Sequence, residues 1–518
     1  MNLAKILWVD DEIDSLKSQI LFLQSKGYDV ASLTNGFDAI DYVKEHALDV
    51  VLIDESMPGL SGLETLAKIK AVNQTLPVVM ITKNEAENVM EDAIGSQISD
   101  YLIKPVNPNQ VLLSLKKILD NKRLVSEKTT SSYQQEFRNL FMALNSNPDA
   151  AEWMDIYRKL VYWEMEMDKT DSPEMREVFQ TQKDEANTEF FKFVSRHYAS
   201  WLKPGAAHAP VMSHTLLQQK VLPVLGKGHS TFLVLIDNLR LDQWRAIQPI
   251  FAESFRLLEE NSFYSILPTA TQYARNAIFA GLLPADIARQ FSAHWKNDDE
   301  EGSKNQHEED FLRAQLKRLG KGDIKLSYTK ILTNEAGQQL VNNIHNLLGN
   351  ELNVVVYNFV DMLSHARTEM EVLKELASDE RSYRSLTKSW FEHSPLYEAL
   401  KKIADKPVKL VLATDHGSIR VKTPVKVVGD RQTTTNIRYK HGRNLNYEAR
   451  DVLAFRDPAA AGLPSPSINS SYIFAREDYY LCYPNNYNHF VNYYRNTFQH
   501  GGVSLEEMIV PVVIMESR

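Results

Sequence analysis

The segment KILWVDDE, residues 5–12, decides how the first part of the chain folds: a short apolar run passes directly into three acidic residues. A strand buried on both faces of a sheet reads as such an unbroken apolar run. Working outward, residues 50–53, 78–81 and 101–103 repeat the pattern, with helical stretches between them. This alternation predicts a parallel sheet covered by helices over residues 1–120. Ligands of such sheets collect at the carboxyl ends of the strands. Asp10 and Asp11 follow the first strand, Asp54 the third, Thr82 the fourth, and Lys104 with Pro105 the fifth. Crowded carboxylates repel one another unless a divalent cation compensates them, and an oxygen-rich set suits Mg²⁺. Asp54 is then placed to attack a phosphoryl donor.

Strand signals stop at about residue 121. Residues 133–144 and 149–167 read as amphipathic helices, so 121–205 is expected to be an all-α connector that ends at Lys203, Pro204 and Gly205. From residue 206 to 518 an α/β pattern returns, with buried-strand runs at 232–236, 354–359, 410–413 and 509–514. With 518 residues, several cores are required.

The second α/β region concentrates metal-preferring residues after its strands. Asp237 closes FLVLID, Asp361 closes VVVYNFVD with His365 four positions on, and Asp415 and His416 close LVLATDH. His500 joins from a Gln-His-Gly-Gly loop at 499–502, ahead of a Ser504 to Glu507 capping pattern. Asp361 and His365 share a face if their segment is helical. Three Asp and three His suit zinc, with manganese as competitor, in open sites rather than a closed finger. The lone Cys482 excludes an intrachain disulfide and a thiolate zinc site. Two ions about 4 Å apart stabilise both the attacking and the leaving oxygen of a phosphoryl displacement. Thr269 and Thr271, just before a helical pattern in LPTATQYARNAIFAGLLP at 267–284, are the candidate nucleophiles.

Composition restricts the partners. A net charge of -9 argues against a broad polyanion-binding surface, and no helix-turn-helix or basic recognition helix for duplex DNA is evident. No apolar run reaches transmembrane length, and acidic residues arrive before a signal-peptide core forms, so a cytoplasmic protein without membrane insertion is expected. Arg420, Lys422, Lys426, Arg431, Arg438, Lys440 and Arg443 form a locally basic stretch, followed by tyrosines that include Tyr472, Tyr479, Tyr480, Tyr483, Tyr487, Tyr493 and Tyr494. These either guide a nucleotide to the metals or belong to a surface loop and an inserted cap. The acidic segment 298–310, with His294 and His307, reads as a solvated loop.

With VDDE at 9–12, DESMPG at 54–59 and KP at 104–105, residues 1–120 resemble a response-regulator receiver domain of flavodoxin-like fold. The resemblance implies Asp54 as phosphoacceptor and Asp11, Asp54 and the Ser56 carbonyl as Mg²⁺ ligands, with Asp10 as the supporting acid. Thr82 and Lys104 would bind phosphoryl oxygens, and Tyr101 would be the rotating aromatic. Residues 206–518 resemble the PglZ branch of the alkaline-phosphatase superfamily. That likeness implies one Zn²⁺ on Asp361, His365 and His500, a second on Asp237, Asp415 and His416, and Thr271 bridging as nucleophile. Arg240 and Arg275 are either phosphate contacts or solvated helix residues.

As a whole the chain resembles PorX-type response regulators of Bacteroidota, a family associated with type IX secretion. This implies a sensor histidine kinase upstream and a phosphodiesterase output acting on nucleotide or oligonucleotide phosphodiesters. The alternative is a non-catalytic, metal-stabilised adaptor that binds a sigma factor or a secretion-system component. Phosphorylation of Asp54 is expected to favour a homodimer through the receiver.

Overall fold

The computed structural model describes residues 4–73, 76–83, 98–169, 172–370, 379–429, 434–465 and 469–518; for 120–131 and for 366, 367 and 369 it describes the backbone alone. Two compact units divide the chain, residues 1–132 and 133–518.

In the first unit five parallel strands, β1 (Ala4–Val9), β2 (Tyr28–Leu33), β3 (Val50–Asp54), β4 (Val78–Thr82) and β5 (Asp100–Ile103), lie in the order β2-β1-β3-β4-β5. Alternation along β1 sends Ile6 and Trp8 into one apolar layer with Val111 and Leu115, and Leu7 and Val9 into the other with Ala39 and Leu66. Helices therefore cover both faces. Their starts are written locally: Asn35 caps Gly36–Glu45 through Asp38, and Ser61 and Glu64 form a reciprocal capping box on Gly62–Val72.

The second unit is built on a six-stranded mixed sheet of β6 (Ser230–Ile236), β7 (Phe255–Tyr264), β8 (Leu326–Ile331), β9 (Leu352–Tyr357), β10 (Val408–Ala413) and the strand Ile509–Ser517. Its order is β7, Ile509–Ser517, β10, β6, β9, β8, with Ile509–Ser517 antiparallel to both neighbours. β10, β6, β9 and β8 run parallel, so their carboxyl ends face one edge. One expectation needs correction here: β9 stops at Tyr357, and the helix Phe359–Glu369 carries Asp361 in its first turn. The apolar run reads through the boundary because Val360 is also fully buried.

Connector helices Ala150–Met167 and Pro173–Trp201 share one continuous core with this sheet, where Phe190 and Trp201 pack against Tyr264 of β7. A buried charge network crosses the same contact. Lys183 lies 3.0 Å from Glu164 and 3.1 Å from Glu506, and Arg384 reaches Asp242 at 2.8 Å and Asp168 at 2.7 Å. Burial alone would strip charge from these groups, but the paired partners hold Lys183 well above its ordinary pKa and Glu164 below its own.

Between β10 and the last strand, short strands Tyr439–Gly442, Val452–Phe455 and Ser471–Ala475 form a small antiparallel sheet. Much of the basic and aromatic stretch is consumed there. Arg438 is fully buried and pairs with Glu507 at 2.6 Å, Lys440 lies over the Tyr483 ring, and Tyr472 and Tyr480 are core residues. Arg431 lies outside the described residues. No helix of the described residues is long and apolar enough to cross a membrane.

Candidate metal centre and receiver pocket

At the carboxyl edge of the first sheet, Asp10, Asp11 and Asp54 offer oxygens within 4.8 Å of one another. Lys104 Nζ donates to Asp10 at 2.8 Å and lies 2.9 Å from Asp54 Oδ2. Burial raises the Asp54 carboxyl above its ordinary value, Lys104 opposes this, and Asp10 adds to it. Asp54 Oδ1 is buried with no hydrogen-bond partner, which leaves an acceptor facing a cluster of acceptors. The charge and the oxygen donors of this cluster fit a divalent cation. Asp11 and Ser56 are exposed at the rim, Thr82 donates to Glu55, and Tyr101 is 39% exposed on β5.

All six C-terminal ligand candidates come together in two adjoining groups. Asp237, Asp415 and His416 form a fully buried set, and Asp361, His365 and His500 form a second, each with ligand atoms within 4.8 Å. The groups meet where the His416 and His500 rings stack at 4.2 Å. Asp237 and Asp415 sit at the ends of neighbouring parallel strands, while Asp361 and His365 occupy successive turns of one helix. Asn238 links the sets: its backbone N–H donates to Asp415 at 3.2 Å, and its side-chain amide donates to Asp361 at 3.3 Å. It does so from a left-handed conformation, φ 63°, which asparagine tolerates.

The histidine tautomers argue for metal binding. His416 Nδ1 lies 3.1 Å from the Gly417 carbonyl and His500 Nδ1 lies 3.0 Å from the Thr269 carbonyl, so each Nδ1–H donates and each Nε2 is left with a lone pair. Those lone pairs face carboxylates, with His416 Nε2 3.8 Å from Asp237 and His500 Nε2 3.5 Å from Asp361. The imidazoles themselves stay neutral, because burial lowers the pKa of His416 and, with His416 adding to it, brings His500 to about 3. Asp237 is held well above the carboxylate range by burial and by Asp415, and Asp415 Oδ2 has no hydrogen-bond partner. Imidazole lone pairs beside three crowded carboxyl groups, with backbone carbonyls fixing the imidazoles from behind, are a donor set that suits a metal ion.

The two threonines differ sharply. Thr269 is fully buried, donates to the Gly502 carbonyl at 3.0 Å and accepts from the Gly501 N–H at 3.0 Å. It braces the His500 turn, in which Gly501 has φ 126°. Thr271, partly exposed at the first position of the helix Thr271–Ala280, places Oγ1 3.1 Å from His416 Nε2 and 3.4 Å from Asp237.

Neither candidate arginine is a solvated residue. Arg240 is enclosed and bound to Asp242 at 2.6 Å and Glu380 at 2.5 Å. Arg275 touches the centre, with Nη1 2.8 Å from Asp237 and Nε 2.6 Å from Glu308. The sequence gives no sign of the roles of Asn238 and Glu308, and of Glu507 it shows only the helix capping pattern. Glu507 accepts from Gly502 N–H at 2.8 Å and from Arg438, and so frames the His500 loop. Connector residue Asn187 accepts from Leu505 N–H at 2.9 Å beside it.

Comparison with known proteins gives three family matches: a response regulator receiver domain over residues 6–116, the PorX response regulator linker domain over 123–202, and the BREX system PglZ alkaline phosphatase-like domain over 216–515. Curated relatives include the transcriptional regulatory protein ZraR of Klebsiella oxytoca, 35% identical over 132 residues, which are 26% of this chain and 30% of that protein. Another is ResD of Bacillus subtilis, 32% identical over 118 residues, 23% of this chain and 49% of that one. The chain thus spans less than half the length of these relatives. Solved structures that resemble it include a CheY-like receiver domain protein from Methanospirillum hungatei, 26% identical with a TM-score of 0.22, covering 23% of this chain and 95% of that one. A receiver domain from Clostridium thermocellum is 28% identical with a TM-score of 0.23, covering 24% and 98%.

Proposed function

This chain belongs to the PglZ family of alkaline-phosphatase-like domains, joined to a response-regulator receiver through a PorX-type linker, and from that premise we propose that it is a zinc-dependent phosphodiesterase switched by phosphorylation of Asp54. The observation that carries the catalytic half is the position of Thr271 Oγ1 between His416 and Asp237, while Thr269 is occupied in bracing the His500 loop. In the N-terminal half, a sensor histidine kinase supplies the phosphoryl group to Asp54. Mg²⁺ would be held by Asp11, Asp54 and the Ser56 carbonyl.

Asp237, Asp415 and His416 would hold one zinc ion, and Asp361, His365 and His500 the other. When bound, the metals lower the pKa of the Thr271 hydroxyl and offset charge on the phosphoryl oxygens. Thr271 Oγ attacks phosphorus, a bond forms between them, and the bond to the leaving oxygen breaks. The Thr271 proton passes to solvent, and the departing alkoxide takes one up. Water then attacks the phosphothreonine, the P–Oγ bond breaks, and Thr271 regains its proton. Arg275 orients Asp237, and the start of the helix Thr271–Ala280 favours the anion.

Charge balance supports a diester substrate. Among the described residues, Arg275 is already divided between Asp237 and Glu308, and Arg240 is bound to Asp242 and Glu380, an arrangement that favours the lower charge of a diester. Nucleotide or oligonucleotide diesters are therefore the favoured class, and control of type IX secretion is the favoured biological setting, on the strength of the linker match. The test is a screen of phosphomonoesters and phosphodiesters with zinc-loaded protein. Turnover of diesters in preference to monoesters is expected. No turnover of either, with metals bound, would instead support the adaptor reading.

A further inference from the structure

A third cluster of metal-preferring side chains lies outside the centre just described. His294, His307 and Asp310 present ligand atoms within 4.8 Å of one another. The His294 and His307 rings are 4.2 Å apart, and His307 Nδ1 lies 3.0 Å from Asp310 Oδ2. A His–Asp pair three residues apart at a helix start is by itself an ordinary surface ion pair. His294 changes the reading, because it arrives from the opposite end of the intervening segment and is fixed there by packing. Its N–H donates to the Phe291 carbonyl at 2.8 Å, and the Phe291 ring packs on Phe311 at 5.3 Å. Two imidazoles and a carboxylate are thus gathered by a small apolar contact.

We propose that His294, His307 and Asp310 form a third, peripheral site for a borderline divalent metal of the zinc class, which clasps the segment between them onto the start of the helix Glu308–Arg318. Ligands around tetrahedral zinc sit about 3.4 Å apart, given metal–ligand bonds of about 2.1 Å, so modest side-chain movement closes the set. Two nitrogens and one carboxylate oxygen leave the fourth position to water, and the set discriminates against Mg²⁺, which prefers oxygen.

The location gives the clasp a consequence. Asn305, within the segment, donates to the Thr271 carbonyl at 3.2 Å, and Glu308, adjacent to His307, holds Arg275. Metal at the periphery would therefore rigidify the two supports that flank Thr271 and Asp237. The inference requires no turnover at the central site.

Full-length protein stripped of metal would be equilibrated with zinc at a free concentration fixed by a chelator buffer, and bound zinc measured by elemental analysis. Wild type is compared with His294→Ala/His307→Ala, and the same pair of substitutions is repeated in an Asp361→Asn/His365→Asn background. One zinc equivalent should be lost on removing the histidines in both backgrounds. A defect of the central site alone changes the total and leaves that difference in place. Hydrogen exchange supplies a second reading: zinc should slow amide exchange over residues 292–307 in wild type and not in His294→Ala/His307→Ala, while Mg²⁺ should slow it in neither. Asp310→Asn, which keeps the helix start, should weaken the same response. Equal zinc content with and without the two histidines, or zinc protection that survives their removal, overturns the proposal.

Discussion

Replacing Arg275 with methionine tests whether the metal centre is an electrostatic balance completed by cations. Arg275 is buried, with Nη1 2.8 Å from Asp237 and Nε 2.6 Å from Glu308. Removing one partner of a buried ion pair costs about 3–5 kcal/mol, because the remaining charge stays buried without compensation. Glu308 keeps Lys330 at 2.9 Å and the Tyr328 hydroxyl, so most of the loss falls on Asp237. Asp237 already stands well above the carboxylate range from burial and Asp415, with Arg275 opposing. It escapes part of the cost by taking up a proton, which places the expected loss near the lower bound, about 3 kcal/mol in metal-free protein. Zinc beside the same carboxylates replaces part of what Arg275 supplies. In saturating zinc the loss should shrink by more than about 1.4 kcal/mol, a factor of ten in the folding equilibrium. Urea unfolding read by tryptophan fluorescence measures this selectively, since six of the seven tryptophans lie beyond residue 132. An equal or larger loss in zinc would show that zinc and Arg275 do not balance the same carboxylates.

Three further outcomes follow from particular groups. Thr269→Val removes the acceptor for the Gly501 N–H, so it should cost about 1–3 kcal/mol in stability and weaken zinc binding through the His500 loop, both measurable by titration and unfolding. Burial lowers the pKa of His214 from 6.5 to about 4, so the unfolded chain binds a proton that the folded one refuses; stability is full above pH 6.5 and falls as pH drops toward 4. Comparing metal-free wild type with His214→Asn across that window should show a shallower decline in the variant, and identical slopes would exclude His214 as a contributor. Phosphorylation of Asp54 should shift wild type toward a dimer and leave Asp54→Ala at its basal equilibrium, as read by light scattering with acetyl phosphate; an unchanged mass despite confirmed modification would remove dimerisation as the switch.

Much of this organisation is written locally. The apolar runs of β1, β3 and β4 and the acidic or hydroxyl residues after them place the receiver pocket, because strand ends and ligands coincide in parallel sheets. Of the six C-terminal ligand candidates, Asp237, Asp415 and His416 are legible as polar residues following buried runs, His365 by its spacing from Asp361, and His500 by its glycine loop. What escaped reading depends on contacts distant in sequence. Val360 is apolar inside a helix, so the end of β9 was hidden and Asp361 looked like a strand-end residue. Asn238 bridges the two candidate sets because β6 lies between β10 and β9, and its left-handed backbone leaves no sequence mark beyond being asparagine after a strand. The same holds for charges: Arg438 reads as solvated basic sequence, yet it is enclosed by Glu507 from the far end of the chain. Thr269 and Thr271 both precede the same helical pattern, and only the contacts of Thr269 with the Gly501–Gly502 turn and of Thr271 with His416 separate them.

Hydrolysis of an activated phosphodiester by zinc-loaded wild type, Thr271→Ala and Thr271→Ser at matched metal content shows whether Thr271 is a metal-bound nucleophile acting on phosphodiesters. Wild type should turn over and lose activity on chelation, Thr271→Ala should retain zinc yet lose turnover, and Thr271→Ser should recover part of it through its own hydroxyl. Wild-type rates in a zinc-replete Thr271→Ala protein would contradict the account.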